Sequence, residues 1–268
     1  MDRADQEQAH AKAAQDMTPK HFVCYRCKSW PCECKDGICL IHGDCRDVLP
    51  QLEPGSVDLV LTDPPYGIAQ DKYRQSLPET KGRVLVESIS GDDSEELAAW
   101  LFKWIGNIPA VIWGANNWPH LLPHKGRWCC WDKRCNVRAD RMLGSAFELA
   151  WENRHSGFDV MIRVQHGGVV NADHKRFGRS HPTQKPVELF AAILRRYVKV
   201  VSILDPFAGS GTAGRACKDL GRKCIMIEIE EKYCKITAQR LNEPSFNIVV
   251  QPVQKKTKPQ GFFKEPKT

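Results

Sequence analysis

An acid, two prolines and an aromatic ring stand in a row at Asp63-Pro64-Pro65-Tyr66, the densest chemical signal in this 268-residue chain. The prolines cannot continue a strand or a helix, and each biases the residue before it toward extended geometry. The segment therefore reads as a stiff loop. It offers a carboxylate acceptor, backbone carbonyls without proline N–H groups beside them, and a ring that can stack. Together these suit a flat heterocycle bearing an amino group. A proline-rich turn whose acid merely caps it is the alternative reading.

A second group of residues has metal-ligand chemistry. His21, Cys24, Cys27, Cys32, Cys34, Cys39, His42 and Cys45 crowd one short stretch. Cys24 and Cys27 form a C-x2-C pair and Cys32 and Cys34 a C-x-C pair, so four thiolates could converge on one zinc ion. Cys39, His21 or His42 could replace one of the four. Small buried thiols or a redox-sensitive knot are the alternatives. Nucleophilic attack by Cys32, which follows Pro31, is set aside because no strand precedes it and Asp63 already holds a strand-end position.

The elements that must position these groups are legible from hydrophobic pattern. Residues 57–62 are a nearly unbroken apolar and β-branched run, the pattern of a strand buried on both faces of a parallel sheet. Asp63 then stands at its carboxyl end, where open α/β sheets bind ligands. A second such strand is predicted at 200–204, followed by Asp205-Pro206-Phe207-Ala208-Gly209-Ser210-Gly211-Thr212 and a helix ending at Gly221. Glycines at a strand-to-helix turn let backbone amides approach and face a bound carboxylate. The next strand, 223–227, ends at Glu228, an acid suited to accept two ribose hydroxyls, with Glu230 and Glu231 as competitors. Further strands are expected at 40–42, 110–114, 127–132, 147–153 and 159–164. Helices are expected at 94–105, opened by a capping-box pattern, at 187–198 after His181-Pro182-Thr183-Gln184-Lys185-Pro186, and at 230–241.

DPPY, HPTQKP and DPFAGSGT, in that order, resemble the motifs of the DNA amino-methyltransferases, in the permuted β group whose catalytic half precedes its cofactor half. VIWGANNW, GRWCCWDKR and SAFELAWEN are similar to the middle motifs of the same family. The likeness runs over residues 40–242. It implies an α/β, Rossmann-like S-adenosylmethionine-dependent methyltransferase fold with a mostly parallel, doubly wound sheet and a small Cys-rich N-terminal appendage. It also implies methyl transfer from S-adenosylmethionine to N6 of adenine in DNA, because DPPY in this family usually accompanies adenine. Cytosine N4 is the alternative; RNA, or a catalytically inactive nucleic-acid-binding module, is more distant.

On this resemblance Asp63, Pro64, Pro65 and Tyr66 are catalytic. Tyr66 stacks on a base flipped out of the duplex, and Asp63 with the Pro64 carbonyl holds its amino hydrogens. The cofactor would be met by Asp44, Asp63, Lys185, Asp205, Phe207, Ala208, Gly209, Ser210, Gly211, Thr212 and Glu228. Asp44 would accept the adenine amino group of the cofactor, unless it is an ordinary turn or helix N-cap residue. Lys185 would pair with the cofactor carboxylate. Asn116, Asn117 and Trp151 would border the target base, and Lys72, Tyr73 and Arg74 could touch DNA or simply be solvated.

Composition sets the outer bounds. With 42% hydrophobic and 26% charged residues the chain can bury a full core, and no apolar run approaches the ~18 residues of a membrane span. The polar N-terminus is not a secretory signal, so a cytoplasmic protein is expected, in a bacterial or phage-infected cell. Twelve cysteines without an export signal argue for thiols or metal rather than disulfides. Net charge of +7 and pI ≈ 8.8 favour an anionic partner such as nucleic acid without identifying one, and part of the excess sits in a solvated basic tail; DNA as the partner is what the resemblance implies. The expected organisation is an arm at 1–20, a Cys-rich segment at 21–39, a methyltransferase domain at 40–245 and the basic tail at 246–268. Within the domain, 40–157 is the catalytic half, 158–180 a short target-recognition region and 181–245 the cofactor half. Members of the family often pair as dimers and accompany a nuclease, so a homodimer and a partner restriction endonuclease are further expectations.

Overall fold

The computed structural model describes residues 22–67, 95–123, 125–133, 145–154, 157–164 and 184–244. Eight strands form one sheet: β1 (Ile38–His42), β2 (Leu59–Thr62), β3 (Ala110–Trp113), β4 (Arg127–Asp132), β5 (Phe147–Glu152), β6 (Val160–Arg163), β7 (Ser202–Asp205) and β8 (Lys223–Glu228). Their order across the sheet is β1-β8-β7-β2-β3-β5-β4-β6. Neighbours are parallel except at β5, which runs antiparallel to both β3 and β4. Seven strands therefore share one direction.

The central strands are apolar except for Thr62 because both faces are covered: all four residues of β2 and of β3 are buried. Successive side chains alternate between two cores. Ile38, Leu40, Leu59, Leu61, Val111 and Trp113 pack on one face beneath α3 (Val187–Arg196), α4 (Thr212–Asp219) and α5 (Glu231–Asn242). Cys39, Ile41, Val60, Ala110 and Ile112 pack on the other, against the short α1 (Cys45–Val48), α2 (Glu96–Ile105) and Cys24 of the N-terminal segment. The result is the expected doubly wound α/β sandwich.

Some boundaries differ from expectation. Glu95 is the N-cap of α2 and makes no side-chain cap bond, and Ser94 lies outside the described residues. The helix after Pro186 stops at Arg196, where Tyr197 leaves helical geometry at φ -101 and ψ 67. Strand β8 includes Glu228, so the acid is hydrogen-bonded into the sheet instead of following it. No helix among the described residues is long and apolar enough to cross a membrane. The arm, His21, Lys72, Tyr73, Arg74, His181, Pro182, Thr183, most of the expected recognition region and the basic tail lie outside them.

Candidate active site

Strands β7 and β2 lie side by side and the chain leaves them in opposite directions: β7 passes through α4 to β8, and β2 through α2 to β3. Such a switch point opens a crevice at the carboxyl ends of the strands. Asp205 ends β7 and Asp63 follows β2, so both acid-bearing loops open on that crevice. The two loops are tied together: the buried Thr62 hydroxyl donates to Asp205 Oδ1 at 2.7 Å, and the Phe207 amide donates to the same oxygen at 3.2 Å. Burial pushes the Asp205 carboxyl up to about 7, against the pull of these two donors.

Asp63 is the hub of the first loop. Tyr66 donates its hydroxyl to Asp63 Oδ1 at 2.8 Å, and Lys185 Nζ bonds Asp63 Oδ2 and also lies 3.1 Å from the Tyr66 oxygen. Lys185 is 5% exposed and has a second acid, Glu148 Oε2, at 3.3 Å; Glu148 in turn pairs with Lys133. Burial by itself would favour a neutral amine, but Asp63, Tyr66 and Glu148 outweigh it and hold Lys185 charged. For Asp63 burial is the larger effect, raising its carboxyl above the ordinary range although Lys185 and the Tyr66 hydroxyl oppose it.

The Tyr66 ring is held by shape. It lies over Gly114, which follows β3 at φ 70, and its edge meets buried Trp118 at 6.1 Å between centroids. A side chain on Gly114 would place Cβ 2.0 Å from the ring.

The glycine-rich loop is fixed from behind. Ala208 N bonds Ile227 O, Gly209 N bonds Glu228 Oε2 at 2.7 Å, and Thr237 Oγ1 of α5 bonds Gly209 O at 3.0 Å. Arg240 donates to the Ser210 hydroxyl at 2.9 Å. Gly211, at φ 78, is the N-cap of α4 and supplies no side-chain cap, and no acid lies in the first turn. The leading amides of α4 are thus suited to an anionic group. A Cβ on Gly211 would fall 2.5 Å from Thr237, so the tight loop requires glycine there. Glu228, raised chiefly by burial, also accepts the Glu230 amide at 2.9 Å. Thr212 Oγ1 bonds the Lys185 carbonyl at 3.2 Å, linking this loop to the lysine at Asp63.

Asp44 stands at the end of β1, beside Glu228 at the end of β8, because His42 is in register with Glu228 and Gly43 N bonds Glu228 O. Its carboxylate caps α1 through the Arg46 amide at 2.8 Å and pairs with the Arg46 guanidinium at 2.6 Å. Lys185, expected against a cofactor carboxylate, bonds Asp63 and lies beside the Tyr66 hydroxyl. Asn116 is exposed, Asn117 donates to Gly114 O at 2.8 Å, and Trp151 packs edge-on against Trp128 within the core. The thiols of Cys24, Cys27, Cys32 and Cys34 converge within 4.8 Å of one another, while Cys39 is buried on β1 and His42 Nε2 is 3.0 Å from Ile229 O.

Sequence reasoning missed Glu148. A charged residue inside the apolar strand FELAWE was its signal, but only the reversed direction of β5 brings the start of that strand to the same sheet edge as Asp63.

Residues 138–239 match the model of the N6/N4 DNA methylase family. The Type II methyltransferase M2.LlaDCHI of Lactococcus lactis subsp. cremoris is 27% identical over 78% of this chain and 91% of its own length. M2.DpnII of Streptococcus pneumoniae is 26% identical over 77% and 90%. Over this span the chain is similar to the N6/N4 DNA methylases. The match to the N6/N4 methylase model runs from near β5 into α5, taking in Glu148, Lys185, the glycine loop and Glu228; Asp63 lies before it. A solved structure of M1.HpyAVI in complex with SAM matches 77% of this chain and 100% of its own, at 21% identity and a TM-score of 0.43.

Proposed function

We propose that this protein is a DNA methylase that transfers a methyl group from S-adenosylmethionine to N6 of adenine, with the base turned out of the duplex. The observation that carries the reading is the convergence of Asp63, Tyr66 and Lys185 beside a glycine-rich loop tied to the same strand pair by Thr62 and Asp205. The cofactor supplies a methyl group on a sulfonium and leaves as S-adenosylhomocysteine. The residues fit it: uncapped amides open α4, and Glu228 and Asp44 end adjacent strands on the same rim.

Tyr66 stacks on the base. Asp63 and the Pro64 carbonyl accept the amino hydrogens, drawing the nitrogen lone pair out of conjugation with the ring. Each Asp63 oxygen is already bonded in the structure, one by Tyr66 and one by Lys185, and each keeps a further lone pair for the amino group. Rate then comes mainly from positioning and from a carboxylate facing the nitrogen as it becomes positive. A carboxyl raised by burial is also a ready acceptor for the proton the nitrogen must lose, taken at Asp63. Lys185 is held charged by Asp63 and Glu148 and keeps the Asp63 carboxylate oriented.

The DPPY tetrapeptide favours adenine. The reaction takes place where bacterial DNA is, in the cytoplasm of the cell or of a phage-infected host. The expected target-recognition region at 158–180 and the polar stretch at 67–91 are the segments we assign to DNA contact. The test is mass spectrometry of nucleosides from unmethylated DNA incubated with the protein and S-adenosylmethionine. N6-methyladenine is expected. N4-methylcytosine would refute the target base, and no product from protein that still binds S-adenosylmethionine would refute the reaction on DNA.

A further inference from the structure

The four converging thiols are not used by the methylation site, and their geometry has its own meaning. Cys24 and Cys34 have sulfurs 3.8 Å apart, and Cys27 and Cys32 3.9 Å apart. All four sulfurs lie within 4.8 Å of one another. A disulfide needs ~2.05 Å, so neither pair is bridged. Four sulfurs each about 2.3 Å from a central tetrahedral zinc stand about 3.8 Å apart. An iron–sulfur cluster must hold its thiolates farther apart because an inorganic cage lies between them.

The backbone is shaped for the same purpose. Lys28 N bonds Cys24 O at 2.8 Å and Lys28 itself is left-handed at φ 62, so the chain turns sharply and brings Cys27 back toward Cys24. Glu33 N points at the Cys27 sulfur at 3.4 Å, the donor a thiolate needs. Arg26 grips Asp36 through two bonds of 2.9 and 2.8 Å and reaches Ile38 O at 2.9 Å, anchoring the return of the loop to the start of β1. Cys24 is fully buried, whereas Cys27, Cys32 and Cys34 are partly exposed, so a metal could enter from the outer side.

We propose that Cys24, Cys27, Cys32 and Cys34 bind one structural zinc ion that clasps the N-terminal segment over the free edge of the sheet. β1 is an edge strand, and the segment covers its outer side through the Cys24–Ile41 bridge and the Tyr25 N to Leu40 O bond. An uncovered edge is a template for pairing between chains, so the clasp also keeps the protein from associating through β1.

The test is elemental analysis of protein purified without chelator, followed by cobalt(II) replacement. One zinc per chain, and a cobalt spectrum with intense sulfur-to-metal charge-transfer bands of a tetrahedral thiolate site, are expected. Cys27→Ser with Cys32→Ser should abolish both, while Cys130→Ser, a partly exposed thiol elsewhere, should leave both intact. Stripping zinc from the wild type should lower Tm by roughly 5 °C or more and promote association. Should the double variant not fold, the wild-type metal content and cobalt spectrum decide. Folded wild type without stoichiometric zinc, iron in its place, or zinc retained by the folded double variant would overturn the proposal.

Discussion

Replacing Gly114 by alanine tests the methylation site without deleting any functional group. The added Cβ would lie 2.0 Å from Tyr66 Cε1 and 2.4 Å from Cδ1, whereas ordinary contact begins near 3.4 Å, so the ring must retreat by about 1.4 Å. That shift is enough to break the 2.8 Å bond to Asp63 and the 3.1 Å approach of Lys185. Misplacement by about 1 Å can cost ~100-fold in rate, so turnover should fall by about that factor or more. The left-handed backbone at φ 70 adds about 1–2 kcal/mol, a Tm loss of roughly 2–8 °C for a domain of this size. Gly55→Ala is the control: its φ is 80 but nothing lies within 4 Å, so it carries the backbone cost alone and should keep full turnover. Transfer of labelled methyl groups to DNA measures the rate, and calorimetric titration with S-adenosylmethionine should give an affinity within a few-fold of wild type. A Gly114→Ala enzyme with near-normal turnover would refute the role assigned to the Tyr66 ring.

Asp63→Ala should abolish transfer while leaving affinity for S-adenosylmethionine within about an order of magnitude, because the glycine loop and Glu228 are held independently by α5 and β8; measurable turnover near wild type would remove the proposed acceptor. Asp205→Asn keeps an acceptor for Thr62 and Phe207 but cannot ionise. Because the folded carboxyl lies at about 7 against an ordinary 3.8, its contribution to stability is full below pH 3.8 and lost as pH rises to 7. The 3.2-unit difference is worth up to about 4 kcal/mol. The Tm of the variant relative to wild type should therefore rise across that window, and a difference independent of pH would contradict the burial argument.

Local order was legible in the chain because it rests on local rules. The buried run before Asp63, the glycine turn before α4 and the acid ending β8 all follow from pattern and turn chemistry, and the structure has a strand or helix at each expected position among the described residues. Less legible were contacts that need distant segments. Lys185 is two residues from a helix start, and nothing near it in sequence points to Asp63, 122 positions away. Asp44 could be read either as a ligand or as a cap, and its bonds to Arg46 show the capping geometry.

The sequence by itself determined the alternation of strands and helices, the two loops that carry the acids, and the cysteine spacing, since each depends on residues within a few positions of one another. Only tertiary structure decided that β5 runs backward and delivers Glu148 to Lys185, that Thr62 and Asp205 join the two loops, and that Gly114 lies beneath Tyr66. Strand order and direction are set by how the two apolar faces of the whole sheet are covered, a global balance of packing that no single segment encodes.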